Sequence, residues 1–230
     1  MKGIFITGTD TGVGKTIVTG LCARYLMEKG YRVITQKWIQ TGSVSKPPLD
    51  VLMHLKIMGK DRAYIQEYLT AVCPYSFKFS ASPHLASVRE KKIIEQNKII
   101  KSYRLLSQVF DSVIVEGVGG ALVPFNRRKL VIDIVKIVDV PVLLVAQNKL
   151  GAINHTLLTI EALRRRGLDI LGIIFNNFPK QNKIILEDNP CIIKELTREK
   201  ILGVLPWVND WDRLYKGFVP IGEKILKRLT

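Results

Sequence analysis

"GIFITGTDTGVGKT", residues 3 to 16, decides the fold: a short apolar run ends in a glycine-rich turn that closes on Lys15 and Thr16. A strand, a glycine turn and then a helix form the setting in which backbone N–H groups and a helix N-terminus gather phosphate. Gly12 and Gly14 let the backbone turn toward a β-phosphate, Lys15 is placed to neutralise β- and γ-phosphates, and the Thr16 hydroxyl is offered to Mg²⁺. The phosphate-contacting segment is therefore read as Gly12, Val13, Gly14, Lys15, Thr16 and Ile17. One feature breaks the pattern G-x-x-x-x-G-K-[ST]. Its first glycine belongs five residues before Gly14, where Thr9 stands, and the glycine is displaced to Gly8.

The rest of the 230-residue chain extends this unit. Apolar runs alternate with amphipathic stretches: strand 3–8, helix 14–29, strand 32–38, helices near 48–59 and 94–110, and strand 112–116. There follow helix 130–138, strand 141–147, helix 153–166, strand 169–176, helix 190–198, strand 201–206 and a final helix near 219–229. Residues 60–93 are the least regular. Such alternation predicts an α/β fold, with a mostly parallel central sheet and helices on both faces, in one domain spanning residues 1–230. Ligands of such sheets bind at the carboxyl ends of the strands.

Composition narrows the function classes. The apolar runs are four to seven residues long, too short to span a bilayer, and the first strand begins too early to leave room for a signal peptide. Three cysteines without C-x-x-C spacing argue against a disulfide or zinc framework and for a reducing, cytoplasmic setting. The net charge of +15 points toward nucleic acid, but the lysines are dispersed and the densest runs, "REKK" at 89–92 and "RRR" at 164–166, fall in or beside helices with solvated faces. No specific nucleic-acid partner is expected.

Further chemistry collects at strand exits. "SVIVEGVGG" at 112–120 ends a buried strand on Glu116, an oxygen ligand suited to Mg²⁺, and Gly117, Val118 and Gly119 permit close approach to phosphate. Asp50 is the only acid between Glu28 and Asp61, so it is either the second metal carboxylate or an ordinary helix-start acid. Lys37 in "RVITQKWIQTG" leaves the second strand at its carboxyl end, as a surface lysine or as a cation aimed at a transferring phosphoryl group, with Thr41 and Gly42 in the next turn. "NKLGAINHTLLT" at 148–159 opens a helix whose first N–H groups suit a carboxylate, with Lys149 and Gly151 in the turn. Asn176 or Asn177 in "IIFNNF" could meet a purine edge, or both could be turn residues.

Together "GTDTGVGKT", "KWIQTG", "CPYSFKFSASPH", "VEGVGG", "LVAQNKLGAINHTLLT" and "LPW" resemble the dethiobiotin synthetases, in which the displaced loop glycine is normal. The resemblance covers residues 3 to 210 and implies a P-loop NTPase-like fold and a ligase of biotin biosynthesis. It further implies a homodimer that takes 7,8-diaminononanoate, CO₂ or bicarbonate, and ATP with Mg²⁺. By matched position Lys37 and Lys15 are catalytic, and Thr11, Lys37, Thr41, Gly151, Ala152, Ile153 and Asn154 bind the substrate, the last four across the dimer. Thr16, Asp50 and Glu116 hold Mg²⁺, Asn176 with Pro206, Trp207 and Val208 receives adenine, and Asn177 is counted among the ATP-binding residues. Trp38 departs from the family, which usually has proline there, and so does Leu49 in place of serine before Asp50.

Two rivals share the fold. Partitioning and division-site ATPases resemble one another in a lysine five residues before the phosphate lysine, and here that position is Asp10. Amidotransferase-type synthetases carry a fused glutaminase domain for which the chain has no length.

Overall fold

The computed structural model describes residues 3–230. The opening apolar run forms β1 (Ile4–Gly8), and the loop after it leads into α1 (Lys15–Glu28). The chain continues through β2 (Val33–Lys37), a short β3 (Ile39–Gln40), α2 (Leu49–Met58), a 3-10 turn (Arg62–Tyr68), α3 (Leu69–Val72), β4 (Tyr75–Ser76), α4 (Pro83–Arg89) and α5 (Gln96–Val109). It then forms β5 (Ser112–Glu116), α6 (Val131–Val138), β6 (Val142–Asn148), α7 (Ala152–Arg164), β7 (Ile170–Asn177), α8 (Lys183–Thr197), β8 (Ile201–Leu205) and α9 (Trp211–Leu229).

Six strands make one sheet in the order β2-β5-β1-β6-β7-β8, and every adjacent pair is parallel. The short β3 and β4 pair separately. Strand alternation divides the core between the faces. Ile4 and Ile6 pack with α1 and α9 residues such as Leu21 and Phe218, while Phe5 packs with α5 and α6 residues such as Leu106 and Ile134. β1 lies between β5 and β6, so the chain departs in both directions from β1 and opens a crevice at its carboxyl end.

Two helices begin earlier than the sequence reading placed them, and both run through a proline. α8 starts at Lys183 rather than near 190 and runs through Pro190. Proline cannot donate to the carbonyl four residues back. That carbonyl, on Leu186, instead accepts from Asn148 Nδ2 at 2.9 Å, which removes the penalty of leaving it bare. α9 starts at Trp211 rather than near 219, and its buried stripe of Leu214, Tyr215, Phe218, Ile221 and Ile225 passes straight across Pro220. The other elements lie within a few residues of expectation, and the irregular 60–93 region resolves into short pieces.

α1 and α2 approach closely at Gly20. A Cβ there would meet the Ile57 side chain at 2.8 Å, so mid-helix glycine is kept for packing despite its low helical propensity. We expect Gly20→Ala to destabilise the protein by about 1–3 kcal/mol through overpacking. In an Ile57→Ala background the same change should become neutral or stabilising. A double-mutant cycle in urea checks this, and additive effects would rule the close contact out as the cause.

Candidate functional site

The loop after β1 takes its shape from one backbone position and two anchors. Gly14 caps α1 at φ +99°, a left-handed conformation, and a Cβ there would collide with the Asn176 amide. Asn176 Nδ2 donates to Val13 O at 3.1 Å, which ties the end of β7 to the loop, and Thr9 N donates to Val145 O of β6. Lys15 opens α1 and folds back so that Nζ donates to Asp10 O at 2.7 Å. Burial, followed by the nearby Lys37 charge, lowers the Lys15 ammonium from its ordinary value to about 8.

Beside the loop stands a charge cluster built by strand register. Lys37 and Glu116, the last residues of β2 and β5, are cross-strand partners. Lys37 Nζ lies 2.7 Å from Glu116 Oε1, 2.9 Å from Asp50 Oδ2 and 2.9 Å from Gly117 O. Thr16 Oγ1 donates to the same Glu116 oxygen at 3.1 Å, and His54 Nε2 lies 2.7 Å from Oε2. Burial alone would raise the Glu116 carboxyl, but Lys37 and His54 outweigh it and bring it down to about 2. Burial alone would lower the Lys37 ammonium. Glu116 and Asp50 reverse that, and it is held above its ordinary range.

The expected metal ligands fit a hard cation. Two carboxylates already converge on one positive centre, the Lys37 ammonium, with the Thr16 hydroxyl alongside. Among the described residues no three His, Cys, Asp or Glu side chains form a cluster able to hold a metal. Two carboxylates and one hydroxyl instead suit an ion that shares its shell with substrate phosphates, as Mg²⁺ does.

These groups line a cleft of about 660 Å³ at the carboxyl end of the sheet. Of the expected residues, Thr11, Gly12, Gly14, Lys15, Thr16, Ile17, Lys37, Thr41, Asp50, Glu116, Val118 and Gly119 all border it. Gln40 and the Ser80–Pro83 segment close its far wall. A smaller cavity of about 280 Å³ holds Asn176, Pro206, Trp207 and Val208 and shares Ile17 with the first. Val13 is not on either wall: its side chain is 1% exposed and belongs to the core below the loop.

Asn177 and the 151–154 turn lie elsewhere. Asn177 follows Asn176 in a strand and therefore faces the opposite way. Its Oδ1 accepts from Asn148 Nδ2, in a set that also bonds Asn189 to Asn148 and thereby fastens α8 to the sheet. It borders neither cavity. Gly151 caps α7 and Ala152, Ile153 and Asn154 begin it, with Gly151 and Asn154 exposed, and they too border neither cavity. Trp38 is 1% exposed, its ring lies tilted against Phe5 with centroids 5.1 Å apart, and its Nε1 donates to Gln36 Oε1, so the departure from proline fills the core behind Lys37.

The family described as an AAA domain matches residues 2–213. The "ATP-dependent dethiobiotin synthetase BioD 2" of Haemophilus influenzae is 44% identical, with 81% of this chain and 96% of that protein aligned. The "ATP-dependent dethiobiotin synthetase BioD" of Thermodesulfovibrio yellowstonii is 37% identical, with 98% and 95% aligned. The chain belongs to the dethiobiotin synthetase family. Among solved structures, a chain of the MinC:MinD cell division protein complex of Aquifex aeolicus superposes with TM-score 0.62 at 14% identity, over 99% of this chain and 96% of that one. The pNOB8 ParA bound to nonspecific DNA gives 0.59 at 16%, over 99% and 98%. At such identity these neighbours share the α/β nucleotide-binding fold and nothing finer.

This dethiobiotin synthetase family member also holds residues that sequence reading passed over. His54 lies one helical turn after Asp50 on α2, a spacing that places both on one face and could have singled it out. Gln40 and Ser80 to Pro83 carried no chemical signal of their own.

The Lys15 ammonium sits near pH 8 with no carboxylate bonded to it, so an arriving polyphosphate should raise its proton affinity. We expect nucleotide binding to take up close to one proton at about pH 9, less toward about pH 7, and affinity to fall as pH rises through 8. Calorimetry in buffers of differing ionisation enthalpy reads this directly, and no uptake at the higher pH would contradict it.

Proposed function

We propose that the chain makes dethiobiotin from 7,8-diaminononanoate, CO₂ and ATP with Mg²⁺, in the cytoplasm and as a homodimer. The observation that carries this reading is the near full-length identity to curated ATP-dependent dethiobiotin synthetases, together with two buried lysines on one cleft. That no helix among the described residues is long and apolar enough to cross a membrane accords with it.

The chemistry needs three bond changes. One amine of the diamine adds to CO₂ and loses a proton, which gives a carbamate. A carbamate oxygen attacks the γ-phosphorus and expels ADP, forming a carbamic-phosphoric anhydride. The second amine attacks the carbonyl carbon, expels phosphate and closes the cyclic urea. Lys15 and the loop amides hold the β- and γ-phosphates, while Thr11 and Thr41 face the carbamate from either side of the cleft. Mg²⁺, when bound by Thr16, Asp50 and Glu116, supplies charge neutralisation at the phosphates. Lys37 lines the same cleft as both carboxylates, and is free to meet the developing charge when Glu116 and Asp50 have another cation to face. Asn176, with Pro206 to Val208, frames the base. Gly151 to Asn154, exposed on this protomer, would receive the diamine's distal carboxylate in the cleft of a second copy.

Pure protein given ATP, Mg²⁺, bicarbonate and the diamine should yield a product carrying one added carbonyl, read by mass spectrometry. ATP hydrolysis stimulated by DNA and not by diamine would favour the partitioning class instead. Lys37→Gln removes one preorganised cation, and we expect kcat to fall about 10²–10³-fold, with a much smaller change in ATP affinity. Equal loss of ATP binding and turnover would make Lys37 a nucleotide ligand.

A further inference from the structure

We infer that His54 is a positioning residue that fixes the Glu116 carboxylate so that a single oxygen, Oε1, is presented to the cleft. The inference rests on the proposed ligand role of Glu116 and adds a residue outside the expected set. His54 is wholly buried on α2, and Nε2 lies 2.7 Å from Glu116 Oε2. Its other nitrogen, Nδ1, is buried without a hydrogen-bond partner. A buried polar atom left bare costs free energy that an apolar side chain of similar size would avoid. What the imidazole provides in return is one directional bond. Because Glu116 is the acceptor, Nε2 carries the hydrogen and donates.

That bond divides the work of the carboxylate. Oε2 is taken by His54, while Oε1 meets Thr16 and Lys37. Lys37 and a metal must then compete for the same oxygen, so the lysine leaves Glu116 when a cation arrives there. Asp50 and His54, four residues apart on one face of α2, press on the two members of the Lys37–Glu116 pair separately. Without His54 the carboxylate is free to rotate and offer both oxygens to Lys37, which turns Oε1 from Thr16 and keeps the lysine bound. Groups that orient a metal ligand typically change metal affinity or activity by about 10–100-fold when removed.

The test measures Mn²⁺, in place of Mg²⁺, binding to the full chain with a non-hydrolysable ATP analogue, with free Mn²⁺ counted by electron paramagnetic resonance. His54→Leu and His54→Asn, the second too short to reach Glu116, should weaken Mn²⁺ binding by about 10–100-fold. His54→Gln, whose amide nitrogen reaches the Nε2 position, should stay close to the parent protein. Metal-free binding of the analogue should change little in all three, which also reports that they fold. If His54→Leu does not fold, the contrast between Asn and Gln decides. Unchanged Mn²⁺ affinity in the Leu or Asn variant, or equal loss in the Asn and Gln variants, would overturn the role. Intact Mn²⁺ binding in Glu116→Gln would overturn it together with the ligand assignment. No diamine enters the assay, so its result is separate from whether the chain closes the urea ring.

Discussion

The arrangement of the site depends on the buried ion pair between Lys37 and Glu116. Both sit at the last position of a parallel strand, and the ladder places their Cα atoms side by side. Two charges in so dry a place carry a desolvation penalty of several kcal/mol each, and a hydrophobic pair would serve stability as well. The pair persists only with its remaining lone pairs and protons satisfied, and here Thr16, His54, Asp50 and the Gly117 carbonyl do so. Four separate chain segments are thus held to one point by charges that stability alone does not require. Placing β5 between β2 and β1 brings that point beside the phosphate loop.

The same fold serves quite different proteins, and the solved structures that share it include a Pyrococcus furiosus cell division ATPase MinD and a ParA bound to nonspecific DNA. What separates this chain from them lies in a few side chains. Asp10 stands where the sequence reading expects a lysine in the partitioning class, and it is part of the loop itself: Oδ1 accepts from Thr11 N, and its carbonyl accepts from Lys15. An acid so placed cannot carry positive charge to a partner's nucleotide. Chemistry at the strand ends, and not the sheet, sets the family.

The sheet was legible because buried parallel strands read as unbroken apolar runs, and the phosphate loop because its glycines and Lys-Thr are contiguous. The starts of α8 and α9 were placed late, and each helix runs through a proline: a side chain from β6 compensates for one, and a buried stripe bridges the other. Asp50 was reached as the one acid between Glu28 and Asp61 and by the family resemblance, since no local pattern marks a carboxylate that meets its partner through tertiary packing. Asn176 and Asn177 could not be told apart until the strand was known to run through both, after which alternation allows only one to face the loop. His54 was missed because its one local mark, a place one helical turn after Asp50, says nothing of the glutamate 62 residues away.

The two lysines of the cleft face opposite changes when ligands arrive. Lys15 is bonded to a neutral carbonyl and its charge is disfavoured by burial and by Lys37, so an anion can only improve its surroundings. Lys37 already has two carboxylates, so any substrate must offer it at least as much as it loses. A nucleotide alone satisfies the first condition and not the second. Charge on Lys37 becomes available to substrate only when Glu116 and Asp50 are neutralised by something else. Under the roles proposed above for Lys37 and the metal, the site holds this cation in reserve until the nucleotide and its metal are both in place.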